Sequence, residues 1–314
     1  MIGDRKELWS MKKAKFIINP SSGRQNFLKN IEEIIGKLIM EQIVNHVDVF
    51  YTKKQDDAKN AAMSMKKGEY DFVVAIGGDG TLNEVINGVV LGKNETPIAV
   101  ISAGTVNDFA NYLSLPQEVE EFCELIREFN VKEVDLGRID GTYFMNVLAG
   151  GLLSDVGYKV PKELKAIFGR MAYYVECVKD IPKNLFHSIP ISVKTEEFSE
   201  ECECLLFIVA NSQSVGGFRN AAPLASVSDG LLDVLILKKV EVGQLSNLLI
   251  KLVQGDHINH PNVEYFQTKK IQIEILDDTK VVVDYDGECF GELPVTIEVA
   301  PKAVKIIVPK IEEE

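Results

Sequence analysis

No uncharged apolar run in the 314-residue chain is long enough to span a bilayer. The opening, Met1-Ile-Gly-Asp-Arg-Lys-Glu-Leu-Trp-Ser10, lacks the apolar core of a secretory signal, and Met11 is an alternative start. The expected protein is soluble and intracellular. Cysteine is scarce and odd in number, five in all, which argues against a disulfide framework. Cys202 and Cys204 alternate along a predicted strand, Cys123 and Cys177 fall on predicted helix faces and Cys289 in a predicted turn, so all five read as structural. Of the four histidines only His257 and His260 stand close, where a polar loop after a helix is a simpler reading than a metal site. Positive charge is also short: 34 Lys and Arg face 47 Asp and Glu, a net −13. Nucleic-acid binding needs a basic face, so no nucleic-acid partner is expected. Contact with an anionic membrane would need a local basic or apolar patch. Low-complexity tracts and internal repeats are absent.

What is present is an ordinary globular composition, 46% hydrophobic, in a chain long enough to favour two domains. The most informative stretch is Asp71-Phe-Val-Val-Ala-Ile-Gly-Gly-Asp-Gly-Thr-Leu-Asn-Glu-Val-Ile-Asn-Gly88. The apolar run Phe72 to Ile76 predicts a strand covered on both faces. Gly77, Gly78, Asp79, Gly80 and Thr81 follow, and then Leu82, Val85, Ile86, Val89 and Val90 recur at helical spacing. Strand, glycine turn and helix aim backbone N–H groups at an anion, with the glycines permitting positive φ and close approach of a phosphate. A Walker A loop is excluded because no lysine occurs here, and a dinucleotide fingerprint because Asn83 stands where its third glycine is required. Asp79 would repel a phosphate unless a cation lay between them, which points to a nucleotide bound with Mg²⁺ or to an acid beside a transferred phosphoryl group. The alternative is that Asp79 only caps the helix and the glycines only turn the chain.

The first half alternates strand and helix signals, the pattern of an α/β domain on a parallel sheet. Phe16–Ile18 predicts a strand ending at Asn19-Pro-Ser-Ser-Gly23, followed by a helix through Ile31, Ile34, Ile35 and Leu38. Val47–Tyr51 predicts a second strand ending at Thr52, residues 56–66 a helix, and Pro97–Ile101 a strand running into Ser102-Ala-Gly-Thr-Val-Asn-Asp-Phe109. Ligands of such sheets sit at the carboxyl ends of the strands, so four turns should converge: 19–23, Thr52, 77–84 and 104–108. Beyond about Arg138 strand-like runs dominate, at 143–148, 189–193, 204–210, 232–237, 270–276, 280–284, 295–299 and 304–308. With helices expected near 162–179 and 242–253, they predict a mainly antiparallel β domain.

Two acidic turns stand out there. Val281-Val-Val-Asp-Tyr-Asp-Gly-Glu288 brings Asp284, Asp286 and Glu288 to one strand end. An Asp-Gly pair is first of all a hairpin turn, yet three carboxylates exceed what a turn requires, and one could accept a proton from a hydroxyl. Ser226-Val-Ser-Asp-Gly-Leu-Leu-Asp233 offers Asp229 and Asp233, either as a plain turn or as a small oxygen-ligand cation site, without the pattern of an EF-hand.

Gly77-Gly-Asp-Gly-Thr81, Asn83-Glu84, Asn87-Gly88 and Gly104-Thr-Val-Asn-Asp-Phe109 occur with Asn19-Pro-Ser-Ser-Gly23, Val134-Asp-Leu-Gly137, Asp229-Gly-Leu-Leu-Asp233 and Asp286-Gly-Glu288. In that order the set resembles the bacterial soluble diacylglycerol kinase and related lipid kinase family, which is similar to eukaryotic diacylglycerol and sphingosine kinases. The likeness runs from about Lys15 to Pro309. The Gly-Gly-Asp-Gly-Thr turn alone is less specific, since NAD kinases and phosphofructokinases have relatives of it. The resemblance implies a phosphofructokinase-like nucleotide domain, residues 1–138 with 301–314 returning to it, and a β-sandwich lipid-substrate domain, residues 139–300, with the substrate cleft between them. It implies ATP contacts at Asn19, Pro20, Ser21, Ser22, Gly23, Thr52, Gly78, Asp79, Gly80, Thr81, Leu82, Asn83, Glu84 and Thr105. It also implies a catalytic set of Glu288, the proton acceptor, with Asp286 and Asp79, and a structural Mg²⁺ on Ser226, Asp229 and the backbone carbonyl of Leu231. Asp79, Asp108, Asp135 and Asp286 match acidic positions that organise the catalytic metal and its water network.

Three positions depart from the family pattern: Asn111 where many members have arginine, Arg24 where lysine is common, and Glu176 in place of a basic residue. They bear on headgroup and membrane docking rather than on phosphoryl transfer. Residues 159–170 mix basic and apolar side chains, and read either as an interfacial helix or as a solvated helix packing Leu164, Ile167 and Phe168 on the core. The expected activity is ATP- and Mg²⁺-dependent transfer of the γ-phosphate to a lipid hydroxyl, foremost that of diacylglycerol, giving phosphatidic acid. The protein would be cytoplasmic, transiently at the inner face of the membrane by peripheral contact, with a homodimer as one arrangement. The alternatives are a kinase for phosphatidylglycerol or a sphingoid base, more distantly an NAD kinase, and a catalytically silent lipid-binding protein. The intact set Asp79, Asp108, Asp286 and Glu288 speaks against the last.

Overall fold

The computed structural model describes residues 12–22, 27–104, 106–151, 188–240, 248, 251–252 and 254–310. The chain divides into two compact units, Met1–Glu133 with Val304–Glu314, and Val134–Ala303, against expected boundaries near 138 and 300. In the first unit β1 (Lys12–Ile18), α1 (Phe27–Met40), β2 (Val44–Tyr51), α2 (Asp57–Met63), β3 (Phe72–Gly77), α3 (Asp79–Leu91) and β4 (Ile98–Ser102) alternate, followed by α4 (Asp108–Tyr112) and α5 (Val119–Glu128). The strands pair in parallel in the order β4-β3-β1-β2, and β15 (Val295–Ile307) adds in parallel beside β4 where Ile306 meets Ile98. This is the expected α/β arrangement. Every residue of β3 is buried, because the strand is central and covered on both faces. Phe16, Ile18, Val74 and Ile76 pack against Ile34 and Leu38 of α1 and Phe122 and Ile126 of α5.

Two boundaries of the first unit differ from the sequence pattern. β2 starts at Val44, not Val47: it is the edge strand, exposed along most of its length, so Asn45 and His46 extend it without any apolar alternation. α2 ends at Met63, short of the expected Lys66, and Asp56 before it adopts φ 65 with no side-chain cap. Buried Ala58, Ala61 and Ala62 let α2 lie close to α3. Gly88 of α3 is required there, since a Cβ on it would stand 2.3 Å from the Lys59 carbonyl oxygen.

The second unit contains most of β5 (Val131–Ile139), then β6 (Thr142–Phe144), β7 (Val147–Gly151), β8 (Ile189–Lys194), β9 (Ser199–Ala210), β10 (Leu232–Lys238), β11 (Val263–Thr268), β12 (Lys270–Ile275), β13 (Val282–Tyr285), β14 (Glu288–Glu292) and the start of β15. They pair antiparallel in the order β14-β13-β7-β9-β8-β12-β15, with β10 joining β9 to β11 and β6 beside β5. Phe144, Leu148, Phe207, Val234, Ile273, Val283 and Ile297 share its core.

The single strand expected over 143–148 is two strands, because the backbone N–H groups between them are taken by a side chain. The runs at 295–299 and 304–308 are one strand, β15, bent at Lys302 with φ 51. β11 escaped notice because all six of its residues are half-buried, which erases alternation. Cys289 is an exposed residue of β14 and not part of a turn. The stretch 159–170, the helix near 162–179, most of the helix near 242–253, Arg24, Glu176, Cys177 and both candidate starts lie outside the described residues. No described helix is long and apolar enough to cross a membrane.

His257 belongs to a short 3-10 turn, Asp256–Asn259, and is 2% exposed. Its Nε2 lies 2.9 Å from the Ala221 carbonyl and donates to it, leaving the Nδ1 lone pair without a partner among the described residues. Burial lowers the His257 pKa from 6.5, while the Ala221 carbonyl and Asp256 pull it up. The unfolded chain therefore binds the proton more tightly, so the stability His257 contributes is present above pH 6.5 and lost as the pH falls below it. Urea unfolding should give a smaller free energy at about pH 5.5 than at about pH 7.5, and His257→Gln should narrow that gap. An unchanged gap in the variant would remove His257 as its source.

Candidate active site

At the carboxyl edge of the parallel sheet each turn is pinned to the end of a neighbouring strand. The N–H of Asn19 donates to Ile76 O at 2.9 Å, that of Thr52 to Ile18 O at 2.9 Å, and that of Ala103 to Gly77 O at 2.8 Å. Asn19 Nδ2 also donates to Thr81 Oγ1 at 3.0 Å, and Asn19 Oδ1 accepts the Ser21 N–H at 3.0 Å. Pro20, Ser21 and Ser22 form a turn closed by the Ser22 N–H on Asn19 O, at 3.1 Å. Gly23 and Thr105 lie outside the described residues. The glycines work by room rather than by positive φ: Gly78 has φ −89, and neither Gly77 nor Gly80 is left-handed. A Cβ on Gly77 would stand 2.4 Å from Thr81 Oγ1, and one on Gly104 2.7 Å from Gly78 Cα, so two turns touch at bare backbone.

Asp79 opens α3 but caps a different helix. Its Oδ2 accepts the Asn107 N–H at 2.9 Å, and the N–H groups of Asp108 and Phe109 bond to the same carboxylate, which closes the start of α4. Burial and then the nearby Asp108 charge raise the Asp79 pKa, while those three donors hold it down. Glu84, farther along α3, accepts the N–H groups of Asp56, Ala58 and Lys59 at 3.1, 3.0 and 3.3 Å and so caps α2. Helices usually take their cap from their own first residue; here α3 caps its neighbours. Thr81, Leu82 and Asn83 are buried, with Asn83 bonded to Asn87 at 2.9 Å, whereas Gly78 and Asp79 are half-buried and Gly80 is exposed.

In the second unit Asp286 and Gly287 have φ 46 and 87, a two-residue hairpin turn with Tyr285 facing Glu288 across it. The Asp286 carboxylate accepts three backbone N–H groups, from Met145 at 2.7 Å and from Asn146 and Val147 at 3.0 Å, and this is what separates β6 from β7. Glu288 opens β14, half-buried. Asp284 faces Cys289, the next pair in the ladder, so it lies on the opposite face from Glu288 and the three carboxylates diverge.

Asp135 of β5 is 1% exposed and binds two more backbone groups, the N–H of Gly230 and of Lys302, both at 2.7 Å. Gly230, with φ 75, sits inside the 226–231 turn, where Asp229 Oδ1 accepts the Leu231 N–H at 3.0 Å and Ser226 Oγ lies 3.4 Å from Ser228 Oγ. Asp233 is not part of that turn: it is buried in β10, receiving Tyr265 Oη and Gln267 Nε2, and burial raises its pKa against those donors. No group of three or more His, Cys, Asp or Glu among the described residues is arranged to hold a metal ion. Ser226 Oγ, the Asp229 carboxylate and the Leu231 carbonyl are nonetheless the hard oxygen donors that magnesium takes.

Residues 13–139 match the family described as diacylglycerol kinase catalytic domain, and residues 149–308 the YegS C-terminal NAD kinase beta sandwich-like domain. The chain is 32% identical to the diacylglycerol kinase of Bacillus subtilis (strain 168), over 97% of this chain and 99% of that protein. It is 35% identical to the diacylglycerol kinase of Staphylococcus saprophyticus over 90% of this chain and 91% of that one. The chain belongs to the diacylglycerol kinase family. It is a lipid kinase, and ATP use comes with that family. The crystal structure of a diacylglycerol kinase from Bacillus anthracis str. Sterne superposes on this lipid kinase with a TM-score of 0.78 at 26% identity, covering 96% of this chain and 98% of that one. Yeast NADH kinase complexed with NADH reaches 0.52 at 12% identity over 96% and 85%, a likeness of fold alone.

Sequence reasoning marked the acids of this kinase but missed what they bind. It also passed over Asn146 and Asn211, which lie outside any marked motif. Asn107 was inside one, and its amide closes the turn by donating to Gly104 O at 2.9 Å. Asp286→Ala leaves three backbone donors without their acceptor and should cost about 2–4 kcal/mol in urea unfolding, while Glu84→Ala, the loss of one cap, should cost about 1–2 kcal/mol. Wild-type unfolding in either variant would show that water replaces the carboxylate.

Proposed function

We propose that this lipid kinase transfers the γ-phosphate of Mg·ATP to the hydroxyl of diacylglycerol, giving phosphatidic acid. The observation that carries the nucleotide half is the set of mutually bonded turns at the carboxyl edge of the first unit, whose N–H groups and hydroxyls are the donors a triphosphate takes. Asn19, Pro20, Ser21, Ser22, Gly23, Thr52, Gly78, Gly80 and Thr105 contact ATP in this reading. Thr81, Leu82 and Asn83, being buried, do so through the main chain. Asp79 and Glu84 act by holding the α4 and α2 turns in place. Magnesium, when bound, neutralises phosphate charge. A second, structural ion would be held by Ser226, Asp229 and the Leu231 carbonyl, stiffening a turn that Asp135 already pins.

Glu288 accepts the proton of the lipid hydroxyl, and Asp286 positions it by tying the hairpin to residues 145–147. The names carried by the bacterial relatives support diacylglycerol as acceptor. A lipid acceptor requires peripheral contact at the inner face of the membrane by an otherwise cytoplasmic protein. The exposed edge strand β2 offers a surface for a homodimer.

Labelled γ-phosphate should pass from Mg·ATP to diacylglycerol in mixed micelles, and Glu288→Gln should slow this by about 10²–10⁴-fold with the fold intact. Label on phosphatidylglycerol or a sphingoid base instead would move the substrate, and full turnover in the variant would remove Glu288 from its role. Asp79→Asn turns an NH₂ toward backbone donors, so the KM for Mg·ATP should rise.

A further inference from the structure

We infer that Asn211 is a positioning residue for phosphoryl transfer, whose side-chain amide holds the Glu288 hairpin in register with the acidic turn at 226–231. The inference rests on the reading of Glu288 as proton acceptor. Asn211 directly follows β9 and is 0% exposed, as is Ser212 beside it. Its Nδ2 donates to two carbonyl oxygens, those of Asp135 and Met145, both at 2.9 Å. Its own N–H donates to Asn146 O at 2.8 Å. Two carbonyl partners fix the amide's orientation, since only the NH₂ group can serve both. Asn211 Oδ1 has no partner among the described residues, so the donor side alone holds this side chain.

Each carbonyl belongs to a segment with a place in the site. Met145 opens the run of three N–H groups that the Asp286 carboxylate accepts, and the same hairpin turn leads into Glu288. Asp135 sends its carboxylate to the N–H of Gly230, inside the 226–231 turn. Ser212 Oγ adds a parallel link, donating to Asn146 Oδ1 at 2.9 Å. A residue that merely fills space would need only the volume of asparagine. This position uses its two donors to join two backbone segments, one gripped by Asp286 and the other carrying Asp135, both acids of the marked motifs.

Asn211→Asp keeps the shape and sets carboxylate oxygens against both carbonyls. With Mg·ATP and diacylglycerol in mixed micelles, kcat should fall about 10–100-fold while the KM for ATP stays within about twofold, in a protein that circular dichroism shows folded. In the Glu288→Gln background the same substitution should cost less than about threefold, because nothing remains to be positioned. Wild-type kcat, a rise in the KM for ATP matching the loss, or losses that multiply with those of Glu288→Gln would overturn the inference. If Asn211→Asp does not fold, Ser212→Ala removes the parallel link, along with the longer contact of Ser212 Oγ to Ser214 O at 3.3 Å, and enters the same cycle with an expected loss of about 3–10-fold, full activity there being the contrary result. Full turnover in Glu288→Gln alone would sink the base assignment and this inference with it. Multiplying losses beside a crippled Glu288→Gln would sink the positioning role only.

Discussion

The structure depends on carboxylates set against orphan backbone N–H groups. Asp79 closes α4, Glu84 closes α2, Asp286 fills the break between β6 and β7, and Asp135 grips Gly230 and Lys302. An ionised carboxylate only accepts, at about four lone-pair sites, and helix starts leave N–H groups without acceptors, as does the β6–β7 break at residues 145–147. The match is therefore complementary in sign, with two or three N–H groups on each carboxylate. Each charge-assisted bond contributes about 1.5–3 kcal/mol, which offsets the cost of taking a charge out of water. Part of the chain's excess of acid is thus interior structure and not surface charge.

This arrangement suits a reaction that asks mainly for positioning. The turns after β1, β2, β3 and β4 have no repeating hydrogen-bond ladder to fix them, so their placement must come from elsewhere. α3 supplies it: a rigid helix carries two carboxylates, and each caps the helix that follows a different turn. The bare backbone of Gly78 and Gly104 lets two of those turns close on one another. Substituting either acid would then disturb a turn at a distance, which is how a residue can matter to transfer without touching a phosphate.

Features that depend on a residue and its near neighbours were legible in the sequence. The apolar run of β3, the Asp286-Gly287 hairpin and the alternation of strand and helix in the first half all fall in this class. Features that depend on distant partners were not. Nothing near Asp286 announces Met145, and nothing near Glu84 announces Asp56, because those bonds exist only once the strands have paired. The break between β6 and β7 was hidden for the same reason: residues 143–148 read as one apolar strand until an acid from another hairpin claims their N–H groups. The candidate site fared similarly. Its acids are metal organisers by resemblance, and the carboxylates of Asp79, Asp135 and Asp286 also accept backbone N–H groups from distant segments, which no local pattern announces.

Asp135 shows why the order of motifs along this chain is physically constrained. The chain leaves the first unit in β5 and re-enters it in β15, and the carboxylate of Asp135 in the one accepts the N–H of Lys302 in the other. β15 pairs antiparallel with β12 over residues 295–298 and then in parallel with β4 at Ile306. Between those two pairings the backbone takes φ 51 at Lys302, and the N–H of that residue goes to Asp135. A left-handed residue without a glycine's freedom is costly, and an acceptor for its stranded donor lowers that cost. The other oxygen of the same carboxylate holds Gly230. One acid thus serves the return of the chain to the parallel sheet and the shape of the 226–231 turn, so the Val134-Asp-Leu-Gly motif, the acidic turn and the final strand cannot vary independently.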